Sequence, residues 1–406
     1  MTSTDNAVTV RPSTVGRPVA MVLGLLTIFG PITTNLYLPV LPALTANFQS
    51  TISAGQLTIT ACLLGLAVGQ VIAGSLSDRF GRRRPLLVGA IVYVVMSGVC
   101  AGSPTIGTLI AARFVQGLAA AVGIVTAQAA GRDLYSGGKL TRYCGRLTVL
   151  GGMSAVIGPV IGGQLAAFGD WRGVFIFLAV VGAFVLLTSL AFFPETLPAR
   201  CRSKGGFFHI LRNYGKLLTD RTVAGAVLIT GLTYSAIYAY LSGATFVLQR
   251  IYGLSPQEYS FAFGLNAVGV MVFGFIGGRL SERSSEKRTM VIGLGIAMAG
   301  SLGLLATAFL HPPLIGILMS LFMLVGGVAT ASPPATALAL RDHSELAGTA
   351  SSLVGMARFA LGSIAAPLVG LGGPDTAVPF GIVTAASICA ALGCLGLFGK
   401  RQKLRP

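Results

Sequence analysis

The sequence predicts an all-α membrane protein of twelve transmembrane helices, set in two pseudo-symmetric six-helix bundles with both termini cytoplasmic. Three observations carry that prediction. Only 10% of the 406 residues are charged and 53% are hydrophobic, whereas about a quarter of a soluble domain is charged. Long charge-free runs recur, each near the ~20 residues that cross a bilayer as a helix. Lysine and arginine gather on alternate connections between those runs, the asymmetry that orients membrane segments.

Backbone groups in lipid must be satisfied within their own segment, so runs of this length are read as helices. They fall at 19–40, 54–76, 85–103, 106–130, 143–168, 171–193, 222–248, 257–280, 289–310, 313–339, 347–371 and 377–399. The shortest connections are Ser103-Pro104 and His311-Pro312-Pro313. The 55 glycines are spread through the apolar runs, where small residues let helices approach closely. The polar stretch Met1–Arg17 before the first run looks like a signal peptide, but no soluble domain follows it, so the run is read as a retained first helix. The expected division is a tail over 1–18, a first bundle over 19–193, a linker over 194–221, a second bundle over 222–399 and a tail over 400–406.

Of the 29 basic residues, 25 lie on the side of the chain termini and two, Arg172 and Arg250, on the other. That split makes the first side cytoplasmic. The net charge of +17 is therefore explained by topology and contact with anionic lipid, not by nucleic acid. Arg113 and Arg358 remain inside spans. The linker is basic, and Phe207-Phe208-His209-Ile210-Leu211 reads as an amphipathic turn on the membrane surface. Cys62, Cys100, Cys144, Cys201, Cys389 and Cys394 show neither metal-ligand nor Cys-x-x-Cys spacing. With no nucleophile–base pair, ligand cluster or soluble catalytic domain, a membrane-embedded enzyme or sensor is disfavoured, and no cofactor is expected.

Two marks recur at half-length. Gly74-Ser-Leu-Ser-Asp78-Arg79 is echoed by Gly278-Arg-Leu-Ser-Glu282-Arg283, and Gly158-Pro159 with Gly162 is echoed by Ala366-Pro367 with Gly370. Duplicated halves around a midplane site are a transporter architecture. In the first mark Asp78 can pair with Arg79, Arg82 or a helix end, and Gly74 and Gly81 permit a tight turn. Such charge pairs are expected to latch one half against the other. In the second, Pro159 removes a donor between glycines, which predicts a bending point. Arg113 inside a span should face a polar cavity or a partner.

These marks resemble the major facilitator superfamily over nearly the whole chain, with Gly74-x-Leu-Ser-Asp78-Arg79-x-Gly81-Arg82-Arg83 as its signature loop. Arg113-Phe-Val-Gln116-Gly117 resembles the Arg-x-x-Gln-Gly of drug exporters, and Gly158-Pro-Val-Ile-Gly162-Gly163 resembles the antiporter motif. Asn35-Leu-Tyr37-Leu-Pro39 with Pro42 is similar to the Asp-x-Tyr-Leu-Pro-x-x-Pro of the bicyclomycin and chloramphenicol exporter group (Bcr/CflA). Similar to that group as well are Arg132-Asp133-Leu-Tyr135, Tyr252-Gly-Leu-Ser255, Phe261-Ala-Phe-Gly-Leu-Asn266 and Ala347-Gly-Thr-Ala-Ser-Ser352.

The resemblance implies a monomeric multidrug exporter of the bacterial inner membrane, exchanging small molecules for protons by alternating access. The substrate cavity is then expected to be lined by Asn35, Tyr37, Arg113, Gln116, Tyr234, Tyr238, Asn266 and Arg358. At ~100° per residue Tyr234 and Tyr238 share a helix face more nearly than Tyr240 does. Two residues depart from the group. Asn35 stands where its proton-carrying acid is expected and cannot titrate, and Arg358 stands where the resemblance implies a neutral polar residue. None of the twelve acids falls at a span midplane, which leaves Asp133 beside Arg132 as the candidate proton carrier; His209, His311 and His343 lie in loops. Two arginines favour an anionic or carbonyl-rich substrate over a lipophilic cation. The alternative is a uniporter or importer of a small polar or anionic metabolite on the same fold.

Overall fold

A computed structural model of the chain describes residues 17–399 except 136, 203–206, 311–312, 341–346 and 374–375; their regular structure is helical, with no strand among them. The first predicted run is not one helix. It forms α1 (Arg17–Asn35), a 3-10 turn (Leu38–Val40) and α2 (Leu41–Asn47). Pro39 and Pro42 lack the N–H groups that would continue α1, so its ladder stops just after Asn35.

Then follow α3 (Ile52–Phe80), α4 (Arg83–Ala101), α5 (Ile106–Leu134), α6 (Gly137–Phe168) and α7 (Arg172–Phe192). The Thr51 side chain accepts from the Ala54 amide to start α3, and a reciprocal Thr105–Thr108 capping box starts α5. Gly81 ends α3 with φ 90°, a value open to glycine. The later helices are α8 (Phe207–Thr219), α9 (Arg221–Phe246), α10 (Pro256–Arg283), α11 (Glu286–Leu310), α12 (Leu314–Leu340), α13 (Ala347–Leu368) and α14 (Val378–Gly399). A π-helical turn, Val247–Ile251, extends α9.

Among the described residues, eleven helical stretches are long and apolar enough to cross a membrane. The remaining predicted run lies in α6, whose described apolar part is Ile157–Ala167. The linker departs from expectation: instead of one amphipathic turn it forms α8. The side chains of 207–211 lie outside the described residues, but Tyr214 and Leu217 are buried against Val71 of α3, Val223 of α9 and Leu353 of α13. Burial pushes the Tyr214 phenol up to about 12.

Helices α3, α4 and α5 pack on one another, with α1 on α5 and α6 and α7 on α4. Further along, α9 packs on α13 and α14, and α12 on α10 and α11. Two long seams join these groups, α3 with α13 and α6 with α10. Where α3 crosses α5, Gly65 faces the Phe114 carbonyl and Gly117 the Cys62 carbonyl, so a side chain at either would push the helices apart.

Candidate functional site

The break in α1 creates the first polar cluster. A helix end leaves its last carbonyls without intrahelical donors, and the Thr33 carbonyl is one of these. Arg113, on α5 and fully buried, donates to it from both Nη1 and Nη2 at 3.2 Å, and Nη1 also donates to Gln116 Oε1 at 2.7 Å. Its guanidinium lies 4.2 Å from the centre of the Tyr37 ring and 5.6 Å from that of Phe175. Gln116 in turn donates to Ser97 Oγ at 2.7 Å, while the Tyr37 hydroxyl pairs with Thr58 at 3.2 Å. The structure thus brings Tyr37, Arg113 and Gln116 together, with Asn35 buried at the same break and its Oδ1 without a hydrogen-bond partner. Cation–π contact of a desolvated arginine is worth about 2 kcal/mol, and each bond to a charged group about 1.5–3 kcal/mol. Arg113 is a bracket on a broken helix. It faces α1 and carries no ion pair among the described residues.

The second cluster is more open. Arg358 on α13 is half-buried, donates from Nη2 to Thr336 Oγ1 at 2.8 Å and lies 4.5 Å from the centre of the Tyr234 ring. Tyr234 and Tyr238 are neighbours at 6.4 Å between centroids, and Tyr238 meets Phe359 at 6.0 Å. Arg358 Nε has no hydrogen-bond partner, and no ion pair engages the side chain among the described residues. Asn266 does not join this group. It donates to the Tyr240 hydroxyl at 3.4 Å, and Tyr240 stacks on Phe263 at 5.5 Å. Helix α3 packs on both α5, which carries Arg113, and α13, which carries Arg358, and so lies beside both clusters.

The glycine–proline run of α6 forms a seam. Gly158 packs on Asn35 and Gly162 on the Leu36 carbonyl, both at the α1 break, while Gly163 packs on Ser260 and the Pro256 carbonyl of α10. Ser260 Oγ donates to the Pro159 carbonyl at 2.7 Å, and Gln257 to the Gly163 carbonyl at 3.2 Å. Gln249, in the π-helical turn, donates to the Pro39 carbonyl at 3.0 Å. Without side chains at these glycines, α6 can be gripped between α1 and α10.

At the Gly81 end, Arg82 is the hub of a charge cluster. It donates to Asp78 at 2.5 Å, to Ser77 at 3.0 Å and to Asp133 at 2.9 and 3.4 Å. Its backbone amide donates to Glu195 at 2.7 Å, and Thr196 Oγ1 donates to Asp133 at 3.0 Å. Burial pulls the Arg82 pKa down, but Asp133 and Asp78 more than reverse this. Burial likewise pushes the Glu195 carboxyl up, and the amides of Arg82, Leu197 and Arg83 with the Arg202 charge bring it below the usual carboxylate range. A side chain at Gly81 would meet that carboxylate.

Every described partner of this cluster lies between Ser77 and Arg202, so it joins α3, α4, α5 and the start of the linker. The expected latch across the halves is not what these contacts make. Asp133, the candidate proton carrier, is engaged here, with Arg132 exposed beside it. Arg79 is exposed over Phe80, and Gly74 has open space around it. In the echo, Arg283 is exposed and the Glu282 side chain lies outside the described residues. Sequence reasoning missed Thr33, Ser97, Phe175, Glu195 and Thr336. Only Glu195 carries a signal, as one of two acids in a basic linker.

The family model of the Major Facilitator Superfamily matches residues 23–367. The chain belongs to the major facilitator superfamily. An uncharacterized MFS-type transporter of Bacillus subtilis, YdgK, is 36% identical over 382 residues, covering 94% of each chain. The bicyclomycin resistance protein homolog of Haemophilus influenzae is 29% identical, covering 88% of this chain and 90% of its own. The fold is that of the xylose transporter XylE from E. coli in a partially occluded inward-open conformation, with TM-score 0.73 at 14% identity over 92% of this chain and 96% of that one. This major facilitator transporter is a multi-pass protein of the bacterial inner membrane, and a chloramphenicol resistance protein of Pseudomonas aeruginosa, 28% identical over 89% of this chain, is among its relatives.

Proposed function

We propose that the protein exports small antibiotic-like or anionic molecules by alternating access between two six-helix halves, with α6 as the twelfth span and both termini cytoplasmic. The observation that carries the substrate class is Arg358: half-buried over Tyr234, with guanidinium donors to spare and no ion pair among the described residues. A carboxylate, phosphate or carbonyl-rich ligand is the chemistry such a group recognises. The likeness of the α6 glycine–proline run to the exporter motif supports outward-directed transport; its glycines pack on the α1 break and on α10. The bicyclomycin-resistance relative supports a drug-like substrate. The halves need no second copy for this cycle.

Expression in an efflux-deficient bacterium tests the export reading: resistance to chloramphenicol-like or bicyclomycin-like compounds should rise, and no change across a broad panel would refute it. Arg358→Gln should then raise the concentration for half-maximal transport about ten- to hundred-fold, the cost of ~1.5–3 kcal/mol for a lost charged hydrogen bond. A second reading, uniport or import of an anionic metabolite, is favoured by Asn35 in place of a titrating acid. Uptake into inverted against right-side-out vesicles separates the two. If proton exchange is missing for want of an acid, Asn35→Asp should add a dependence on the pH gradient. Unchanged pH dependence in that variant would show that the coupling acid lies elsewhere.

A further inference from the structure

A groove of about 340 Å³ runs down the outside of the fold between α3, α4 and α5, beginning beside the Arg82 cluster. Its floor is made of small or β-branched side chains, Ala73, Gly89, Ala119 and Val122, and Gly89 is what lets α4 lie directly on Val122. Its rim is large and apolar, with Leu76, Phe80 and Val88 exposed. From Arg84 to Val92, both in its lining, α4 rises about 12 Å at 1.5 Å per residue. One leaflet contributes about 15 Å of a ~30 Å hydrocarbon core, so the groove has the depth of a single leaflet. The charged residue in the lining is Arg84, at the Gly81 end. It is exposed and without an ion pair among the described residues.

We propose that this groove is a binding site for an anionic phospholipid, one acyl chain lying on the Ala73–Gly89–Ala119 floor and its phosphate on Arg84. A neutral hydrophobic ligand would leave Arg84 unused, and a soluble anion would leave the groove empty; a lipid uses both. Charge complementarity also fits the cytoplasmic leaflet, where anionic lipids meet basic residues; that placement rests on the topology proposed above. The lipid would brace α4 against α3 and α5 within a turn of Arg82.

The test is native mass spectrometry of the purified full chain exchanged into phosphatidylglycerol or phosphatidylcholine of identical acyl chains. Wild type should retain phosphatidylglycerol about five-fold over phosphatidylcholine, the ratio given by ~1 kcal/mol per basic residue, and Arg84→Gln should bring that ratio near one. Phosphatidylglycerol carrying a photoreactive group on its acyl chain should label Leu76 or Val88 in wild type, and excess glycerol phosphate should not compete. Equal lipid ratios in wild type and Arg84→Gln, or labelling spread evenly over the surface, would mean non-selective annular lipid and overturn the proposal. Detergent-phase binding is indifferent to sidedness, so a wrong topology would leave this result intact.

Discussion

Replacing Arg82 with glutamine should destabilise the folded chain by about 2–4 kcal/mol, most of it through Asp133. The Asp133 side chain is 15% exposed and receives two bonds from Arg82, at 2.9 and 3.4 Å. Bonds to charged groups contribute about 1.5–3 kcal/mol each, and the longer one counts for little. Asp78 is closer but 49% exposed, so solvent screening brings its share to about 0.2–1 kcal/mol. A double-mutant cycle with Asp133→Asn, read by equilibrium unfolding of the full chain in mixed detergent–dodecyl sulfate micelles, should return a coupling of about 1.5–3 kcal/mol. A coupling below about 0.5 kcal/mol, the value of an ordinary surface pair, would refute the view that Arg82 is a buried structural hub. Because the described partners all precede residue 203, neither substitution should alter reagent access to a cysteine placed at Gln249 in the opposite seam. Altered access would mean that the cluster couples the two halves.

Two further outcomes follow from the site. Gly163→Val places side-chain atoms against Ser260 and the Pro256 carbonyl; it should hold the α6–α10 seam apart, abolish transport and raise cysteine labelling at that end. Glu195 has a folded pKa below the usual ~4.3, so its stabilisation is complete at neutral pH and lost as pH falls through the lowered value. Wild type should therefore outlast Glu195→Gln in thermal unfolding at pH 7, and the advantage should shrink as pH falls below the usual carboxylate range and be gone once the lowered value is passed.

Membrane character, helix type and most helix positions were legible because they depend on runs of about twenty residues, where single substitutions average out. The break after Asn35 was less so: a hydropathy pass sees one apolar run through Pro39 and Pro42, although both prolines announce the interruption. Arg113 was rightly singled out as a costly charge, and its bond to Gln116 lies within its own motif, but its partner on α1 is the Thr33 carbonyl, a backbone atom that no residue type marks. Tyr240 shows the same limit. Helical phase set it apart from Tyr234 and Tyr238 correctly, yet phase cannot say that Asn266 of α10 waits on that other face. The cluster at Arg82 depends on Asp133 and Glu195, 51 and 113 residues away, distances over which sequence spacing carries no geometry.

The described acids all sit at helix ends or in loops, while two arginines are fixed within the spans. Among the described residues, positive charge is thus held within the spans without a carboxylate beside it there to carry a proton. For an anionic solute the membrane potential, negative inside, then becomes a direct source of work. One negative charge leaving the cell across 100 mV gains about 2.3 kcal/mol, enough on its own for a roughly fifty-fold gradient. On the proposed export reading, asparagine at position 35 fits a uniporter whose cargo carries the driving charge itself.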